Sequence, residues 1–126
     1  MFESNQIVVL CIDDEPNILM LRKLLLSIAG YDVLTADNTQ DALDIFSDNK
    51  VDLVITDQLL PGLSGTEIAR EMKRIKPHVP IILFTGLVDV PAKVDYIDLV
   101  LTKGMTPPEF LTAIGKVVAP RPSSAG

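Results

Sequence analysis

Five short, largely apolar segments are the feature that most constrains how this chain can fold. They span residues 7–12, 31–36, 51–56, 79–84 and 97–102. Each is too short for an isolated helix and suits a buried strand. Segments with the apolar spacing of helices lie between them. Alternation of this kind predicts a parallel sheet covered by helices on both faces, that is, a doubly wound α/β domain.

The helical segments carry their own start and stop signals. The first is predicted to begin near Pro16, to bury one face and to end before Gly30. Right-handed crossovers and five strands favour the flavodoxin-like order 2-1-3-4-5. Capping boxes are expected at Ser64–Glu67 and Thr106–Glu109. The predicted buried faces are Ile18, Leu21, Leu25 and Ile28; Ala42, Leu43 and Phe46; Ile68, Met72 and Ile75; and Phe110, Leu111, Ile114, Val117 and Val118.

Composition and charge narrow the possible functions. The 126 residues fit one domain, which we expect over residues 1–119, with a disordered tail or linker start over 120–126. The net charge of −6 argues against direct nucleic-acid binding but leaves a Mg²⁺ site open. Cys11 falls inside a strand pattern and is expected in the core. No apolar run reaches a membrane span and no signal peptide is visible, so we expect a cytoplasmic domain.

Asp57 stands where the third apolar segment stops, before a turn marked by Pro61 and Gly62. In open α/β sheets, ligands bind at the carboxyl ends of the strands. Taken alone, Asp57 fits a structural role in the turn equally well, because Asp is a common turn residue. The ends of the other strands are therefore needed to interpret it.

Polar side chains follow three other strands at the same predicted edge. Asp13 and Asp14 follow the first strand, Thr85 the fourth and Lys103 the fifth. Carboxylates brought together repel each other, by about 4 kcal/mol per pair at ~4 Å and an effective dielectric constant of 20. A divalent cation with hard oxygen ligands, Mg²⁺ above all, offsets this repulsion. A carboxylate beside Mg²⁺ and a lysine can accept a phosphoryl group.

With these residues in place, the chain resembles a response regulator receiver domain of two-component signalling, over roughly residues 6–119. The resemblance rests on the acidic pair Asp13-Asp14, on Asp57 followed by Leu60-Pro61-Gly62 and Gly65, on Thr85-Gly86 and on Lys103. It implies that the protein is a signalling module and not an enzyme acting on an external metabolite. The implied partners are a histidine kinase or phosphotransfer protein and a downstream protein target.

The resemblance also implies a role for each site residue. Asp57 would be the phosphoacceptor, and Asp13, Asp14, Asp57 and the backbone carbonyl of Leu59 would hold Mg²⁺. Thr85 would bind the phosphoryl group and move on activation. Lys103 would pair with the phosphoryl group.

Two residues near the lysine depart from the family pattern. The family usually has an aromatic residue three positions before the lysine, where this chain has Val100. The lysine is usually followed by a proline in a cis peptide, where this chain has Gly104. A cis bond without proline costs roughly 2.5–4 kcal/mol, so we predict a trans Lys103–Gly104 bond.

The segment between Thr85 and Lys103 is a third departure, because residues 86–102 leave little room for a full helix and a strand. We predict a fourth helix of about two turns or less that starts near Pro91, or an irregular segment. The apolar residues of this segment suit either an exposed patch for a homodimer or inward packing in place of the missing helix. They are Val88, Val90, Tyr96 and Ile97.

Three other functions compete with this interpretation. A Mg²⁺-dependent phosphohydrolase would have to use Asp13 and Glu15 and would leave Asp57 unexplained. A flavin-binding protein is disfavoured because the acidic loop after the first strand would repel the flavin phosphate. A receiver-like adaptor that signals without a phosphorylation switch stays within the family, and Val100 and the short fourth helix make it plausible.

Overall fold

The computed structural model describes residues 6–86 and 94–118. Within these ranges the chain forms a five-stranded parallel sheet with the order β2-β1-β3-β4-β5, as predicted. The strands are β1 (Val8–Ile12), β2 (Asp32–Ala36), β3 (Leu53–Asp57), β4 (Ile81–Thr85) and β5 (Leu99–Thr102). The helices of the described ranges are α1 (Pro16–Ile28), α2 (Thr39–Asp48), α3 (Gly65–Ile75) and α4 (Pro107–Val118).

The central strands are buried on both sides, which explains why they read as continuous apolar runs. Residues of β1, β3 and β4 point alternately into two hydrophobic clusters. One cluster contains Leu26 of α1 and Phe110 of α4, and the other contains Phe46 of α2 and Met72 of α3. Cys11 is fully buried in the first cluster, as predicted, and burial raises the pKa of its thiol to about 12.

The predicted helix ends are largely confirmed. Of Asn38 and Thr39, which the sequence offers as alternative caps of α2, Asn38 is the cap. Ser64 and Glu67 form the predicted capping box at α3. At α4, the Thr106 amide donates to Glu109 Oε1 at 2.7 Å and the Glu109 amide donates to Thr106 Oγ1 at 3.3 Å. Gly30 follows α1 with φ of 101°, a backbone conformation that glycine adopts without strain.

The buried face predicted for α1 is displaced by one position. Of the four predicted residues, Ile18 and Leu25 are half-buried, and Leu21 and Ile28 are 52% and 76% exposed. The buried stripe is Leu19, Arg22 and Leu26, and it contains an arginine. An apolar count therefore favours the wrong face, because it treats arginine as a surface residue.

The buried faces predicted for α2, α3 and α4 are confirmed with one exception. Ile75 is 46% exposed because α3 ends there, whereas Ile68 and Met72 are fully buried. Leu43, Leu111 and Val117 are partly buried and pack against the clusters. All peptide bonds between described residues are trans, so the predicted trans Lys103–Gly104 bond is confirmed.

Parts of two predictions fall outside the described residues. The short fourth helix near Pro91 and the residues Val88 and Val90 lie in the undescribed segment 87–93, and the expected tail lies in 119–126. Of the apolar residues discussed with them, Ile97 packs against the second cluster and Tyr96 is 48% exposed, with φ of 69°.

Candidate functional site

Three carboxylates meet at the carboxyl edge of the sheet. Asp57 is the last residue of β3, and Asp13 and Asp14 directly follow β1. One oxygen from each lies within 4.8 Å of the others. Asp13 and Asp57 are buried, whereas Asp14 is exposed. The predicted acidic cluster therefore forms, with one side open to water.

Lys103, the residue after β5, places its ammonium group beside two of the three carboxylates. Its Nζ lies 3.1 Å from Asp57 Oδ1 and 3.5 Å from Asp13 Oδ2. Its backbone amide donates to the Thr85 carbonyl at 3.0 Å, which ties the residue after β5 to the end of β4. Thr85 is buried and pairs with Thr102 in the sheet register, directly before Lys103. All five side chains predicted for the site are thus at one edge of the sheet.

Arg22 is a charged residue of this site that the sequence interpretation missed. It lies on α1 with 4% of its surface exposed, and its Nη1 is 3.3 Å from Asp13 Oδ2. Its guanidinium carbon lies 4.3 Å from the centre of the Phe84 ring, a cation–π arrangement. Burial lowers the pKa of Arg22 from its ordinary value, and the charge of Asp13 opposes that shift. The spacing of three and four residues in Leu19-Arg22-Leu26 was the available signal.

The loop after β3 is held by Gln58. Its backbone amide donates to Asp57 Oδ1 at 2.9 Å, and its backbone carbonyl accepts from the Gly65 amide at 2.9 Å. Its side-chain Oε1 accepts from the Thr66 amide at 3.1 Å. Leu59 is exposed and lines a shallow depression of about 330 Å³ together with Asp14. The loop therefore fixes one Asp57 oxygen and places Leu59 beside the acidic cluster.

Gly65 allows the start of α3 to approach Asp57. A Cβ at this position would lie 2.3 Å from the Asp57 carbonyl oxygen and 3.0 Å from Gln58 Cα. Contacts this short with backbone atoms are excluded for any larger residue unless the backbone moves. Gly65, one of the residues on which the family resemblance rests, thus has a direct steric role.

The donor set fits a hard divalent cation. Three carboxylates face two basic groups, Lys103 and Arg22, so the cluster keeps one net negative charge. Asp13 Oδ2 is buried and has no hydrogen bond from the described residues, although both basic groups lie near it. Clustered carboxylate oxygens with an open side are the ligands that Mg²⁺ takes in proteins, where it keeps several waters.

Comparison with known proteins places the chain in a family. A family model described as the response regulator receiver domain matches residues 9–115. The chain belongs to this family. Receiver domains are signalling domains of two-component systems and not classical enzymes.

Two relatives illustrate the match. The phosphate regulon transcriptional regulatory protein PhoB of Pseudomonas aeruginosa is 34% identical over 116 residues, which cover 87% of this chain and 51% of PhoB. The alkaline phosphatase synthesis transcriptional regulatory protein PhoP of Bacillus subtilis is 32% identical over 117 residues, covering 93% of this chain and 45% of PhoP. The chain spans about half the length, or less, of the curated relatives it matches.

Solved structures agree on the fold. A response regulator receiver domain protein from Clostridium thermocellum is 38% identical with a TM-score of 0.82, covering 90% of this chain and 94% of its own. The response regulator TrrA from Thermotoga maritima, solved in complex with Mg²⁺-BeF, is 34% identical with a TM-score of 0.83, covering 90% of this chain and all of its own. Among the described helices, none has the length and apolar character needed to cross a membrane.

Proposed function

We propose that Asp57 accepts a phosphoryl group from a histidine kinase or phosphotransfer protein and that this changes a protein contact surface. The observation that carries the proposal is the position of Asp57 at the end of β3, within 3.1 Å of Lys103 and grouped with Asp13 and Asp14. Phosphoryl transfer depends mainly on positioning and charge neutralisation. This edge of the sheet provides both.

The chain's own residues orient the reacting groups. A carboxylate oxygen of Asp57 attacks phosphorus, the phosphorus–nitrogen bond of the donor phosphohistidine breaks, and its electron pair stays on the imidazole nitrogen. The Gln58 amide and Lys103 both lie against Asp57 Oδ1, which fixes the rotation of the carboxylate. Lys103 is one-third exposed on a flexible stem, so it can follow the incoming phosphoryl oxygens. Thr85 offers a hydroxyl beside them.

Mg²⁺ is the cofactor of this proposal, held by Asp13, Asp14, Asp57 and the backbone carbonyl of Leu59. The ion would neutralise negative charge between the attacking carboxylate and the phosphoryl oxygens. Asp13 is prepared for this role because its Oδ1 accepts a hydrogen bond from the Glu15 amide at 3.0 Å, which fixes the carboxylate. The complex of TrrA with Mg²⁺-BeF supports the assignment by similarity.

The output is a protein contact at the end of the sheet where Lys103 lies. β5 and α4 adjoin Lys103 and are the described elements closest to it in the chain. A downstream protein target or a second copy of the chain would bind there, whereas the net charge of −6 disfavours nucleic acid. We place the receiver domain at residues 1–119 and its location in the cytoplasm.

Intact mass spectrometry tests the proposal. The purified protein is incubated with phosphoramidate and Mg²⁺, and the expected product carries one added phosphoryl group. Asp57→Asn is the matched variant and should stay unmodified. No adduct on the wild type, or the same adduct on Asp57→Asn, would refute the proposal.

A receiver-like adaptor without a phosphorylation switch is the second candidate. Val100 is half-buried where the family usually has an aromatic ring, and the Lys103–Gly104 bond is trans. Both differences lie beside the surface through which receivers commonly signal. A partner-binding assay with and without beryllofluoride separates the two, since a ligand shifts a conformational equilibrium only through different affinity for the two states.

A further inference from the structure

The proposed phosphoryl transfer does not use Arg22, although its charge is buried at the site. Its Nη1 is 3.3 Å from Asp13 Oδ2, the same oxygen that Lys103 approaches to 3.5 Å. Both Arg22 Nη1 and Asp13 Oδ2 are buried without a well-aligned hydrogen bond among the described residues. The contact is therefore an electrostatic one, and Asp13 Oδ2 keeps bonding capacity for another partner.

Arg22 is more enclosed than Lys103. Its guanidinium lies 4.3 Å from the centre of the Phe84 ring, and Phe84 stacks on Phe110 with ring centres 5.3 Å apart and 9° between the planes. Lys103 is one-third exposed, whereas Arg22 is 4% exposed and lies near Phe84 of β4 and Phe110 of α4. Arg22 is thus a fixed charge, and Lys103 is a mobile one.

We propose that Arg22 is a built-in counter-ion of Asp13 that weakens divalent-cation binding at the cluster of Asp13, Asp14 and Asp57. The proposal rests on the Mg²⁺ site of the proposed function and adds a residue that sets its affinity. The cation must share Asp13 with a positive charge that stays in place. The site would consequently fill only when the concentration of Mg²⁺ is high or when a phosphoryl group adds negative charge.

Arg22 affects the affinity of the site for a cation in two opposite ways, and the larger effect decides whether the affinity falls or rises. Holding the Asp13 carboxylate in place favours cation binding. A positive charge a few ångströms from a divalent ion disfavours it, and in a partly buried site this repulsion is weakly screened. The Glu15 amide already fixes Asp13 through its other oxygen, so the loss of Arg22 costs little positioning. Repulsion therefore dominates.

Isothermal titration with MgCl₂ tests this on four proteins: wild type, Arg22→Met, Arg22→Gln and Lys23→Met. Arg22→Met removes the charge and keeps an apolar stem, and Arg22→Gln removes the charge and keeps a shorter polar side chain. Lys23→Met removes the same charge from the exposed side of the same helix. We expect both Arg22 variants to bind Mg²⁺ about tenfold more tightly or better, and Lys23→Met to stay within about twofold of wild type.

Unchanged or weaker Mg²⁺ binding by a folded Arg22 variant would overturn the inference, and so would an equal gain in Lys23→Met. If the wild type bound no Mg²⁺, the proposed function itself would lose its cofactor, which is a distinguishable failure. Should neither Arg22 variant fold, NMR of the wild type tests the premise that the bound cation lies beside Arg22. The Arg22 side-chain resonances should shift during a Mg²⁺ titration, and resonances that do not move would overturn the inference.

Discussion

Replacement of Gly65 by alanine is the perturbation for which the structure gives the clearest magnitude. The new Cβ would lie 2.3 Å from the Asp57 carbonyl oxygen, 2.9 Å from Leu83 Cδ1 and 3.0 Å from Gln58 Cα. Two of these neighbours are backbone atoms, so a change of rotamer cannot relieve the contact. Overpacking costs typically about 1–3 kcal/mol, and we expect a loss of about 3 kcal/mol here.

The same substitution should disturb the site. To relieve the overlap of the new Cβ with the backbone, the first turn of α3 must move away from β3. This movement would stretch the 2.9 Å hydrogen bond from the Gly65 amide to the Gln58 backbone carbonyl. Gln58 also donates to Asp57, so the carboxylate would lose its orientation. We therefore expect slower phosphorylation of Asp57 by phosphoramidate in the folded variant.

Urea denaturation followed by circular dichroism measures the stability change. Gly115→Ala is the matched control, because Gly115 lies in α4 and a Cβ there meets nothing within 4 Å. Alanine in place of a helical glycine should stabilise the protein by about 1 kcal/mol. Equal stability of Gly65→Ala and the wild type, or equal effects at both glycines, would refute the steric reasoning.

Three further predictions concern other parts of the site and fold. Lys103→Met should slow phosphorylation about tenfold or more with little change in stability, because the lysine is partly exposed; a phosphoramidate time course measures this. Ser64→Ala should cost about 1 kcal/mol by removing the cap of α3, measured by urea denaturation. The buried Cys11 thiol should react with Ellman's reagent only as fast as the protein unfolds, so rapid labelling of the native protein would contradict its placement.

The sheet could be predicted from sequence because its strands are buried on both faces. Leu10, Ile55 and Ile82 belong to short apolar runs whose length excludes isolated helices. Parallel strands bring their carboxyl ends to one edge, so the meeting of Asp13 and Asp57 followed from topology. No side-chain geometry was needed for this step.

The face of α1 could not be predicted in the same way. Apolar residues surround much of this helix, and Leu21 and Ile28 fit a stripe as well as the buried Leu19 and Leu26 do. The deciding residue is Arg22, whose buried charge is offset by an ion pair with Asp13 and a cation–π contact with Phe84. Sequence alone gives the residue type but not the partners that compensate for the burial of its charge.

If Asp57 accepts the phosphoryl group, it becomes an acyl phosphate, and its position in the chain can be located chemically. The protein is treated with phosphoramidate and Mg²⁺, reduced with borohydride, digested and sequenced by tandem mass spectrometry. Borohydride converts a phosphorylated aspartate into homoserine. We expect homoserine at position 57 and none at Asp13 or Asp14. Homoserine at another aspartate, or an unreduced Asp57 in a protein that carries the phosphoryl group, would show that Asp57 is not the phosphoacceptor.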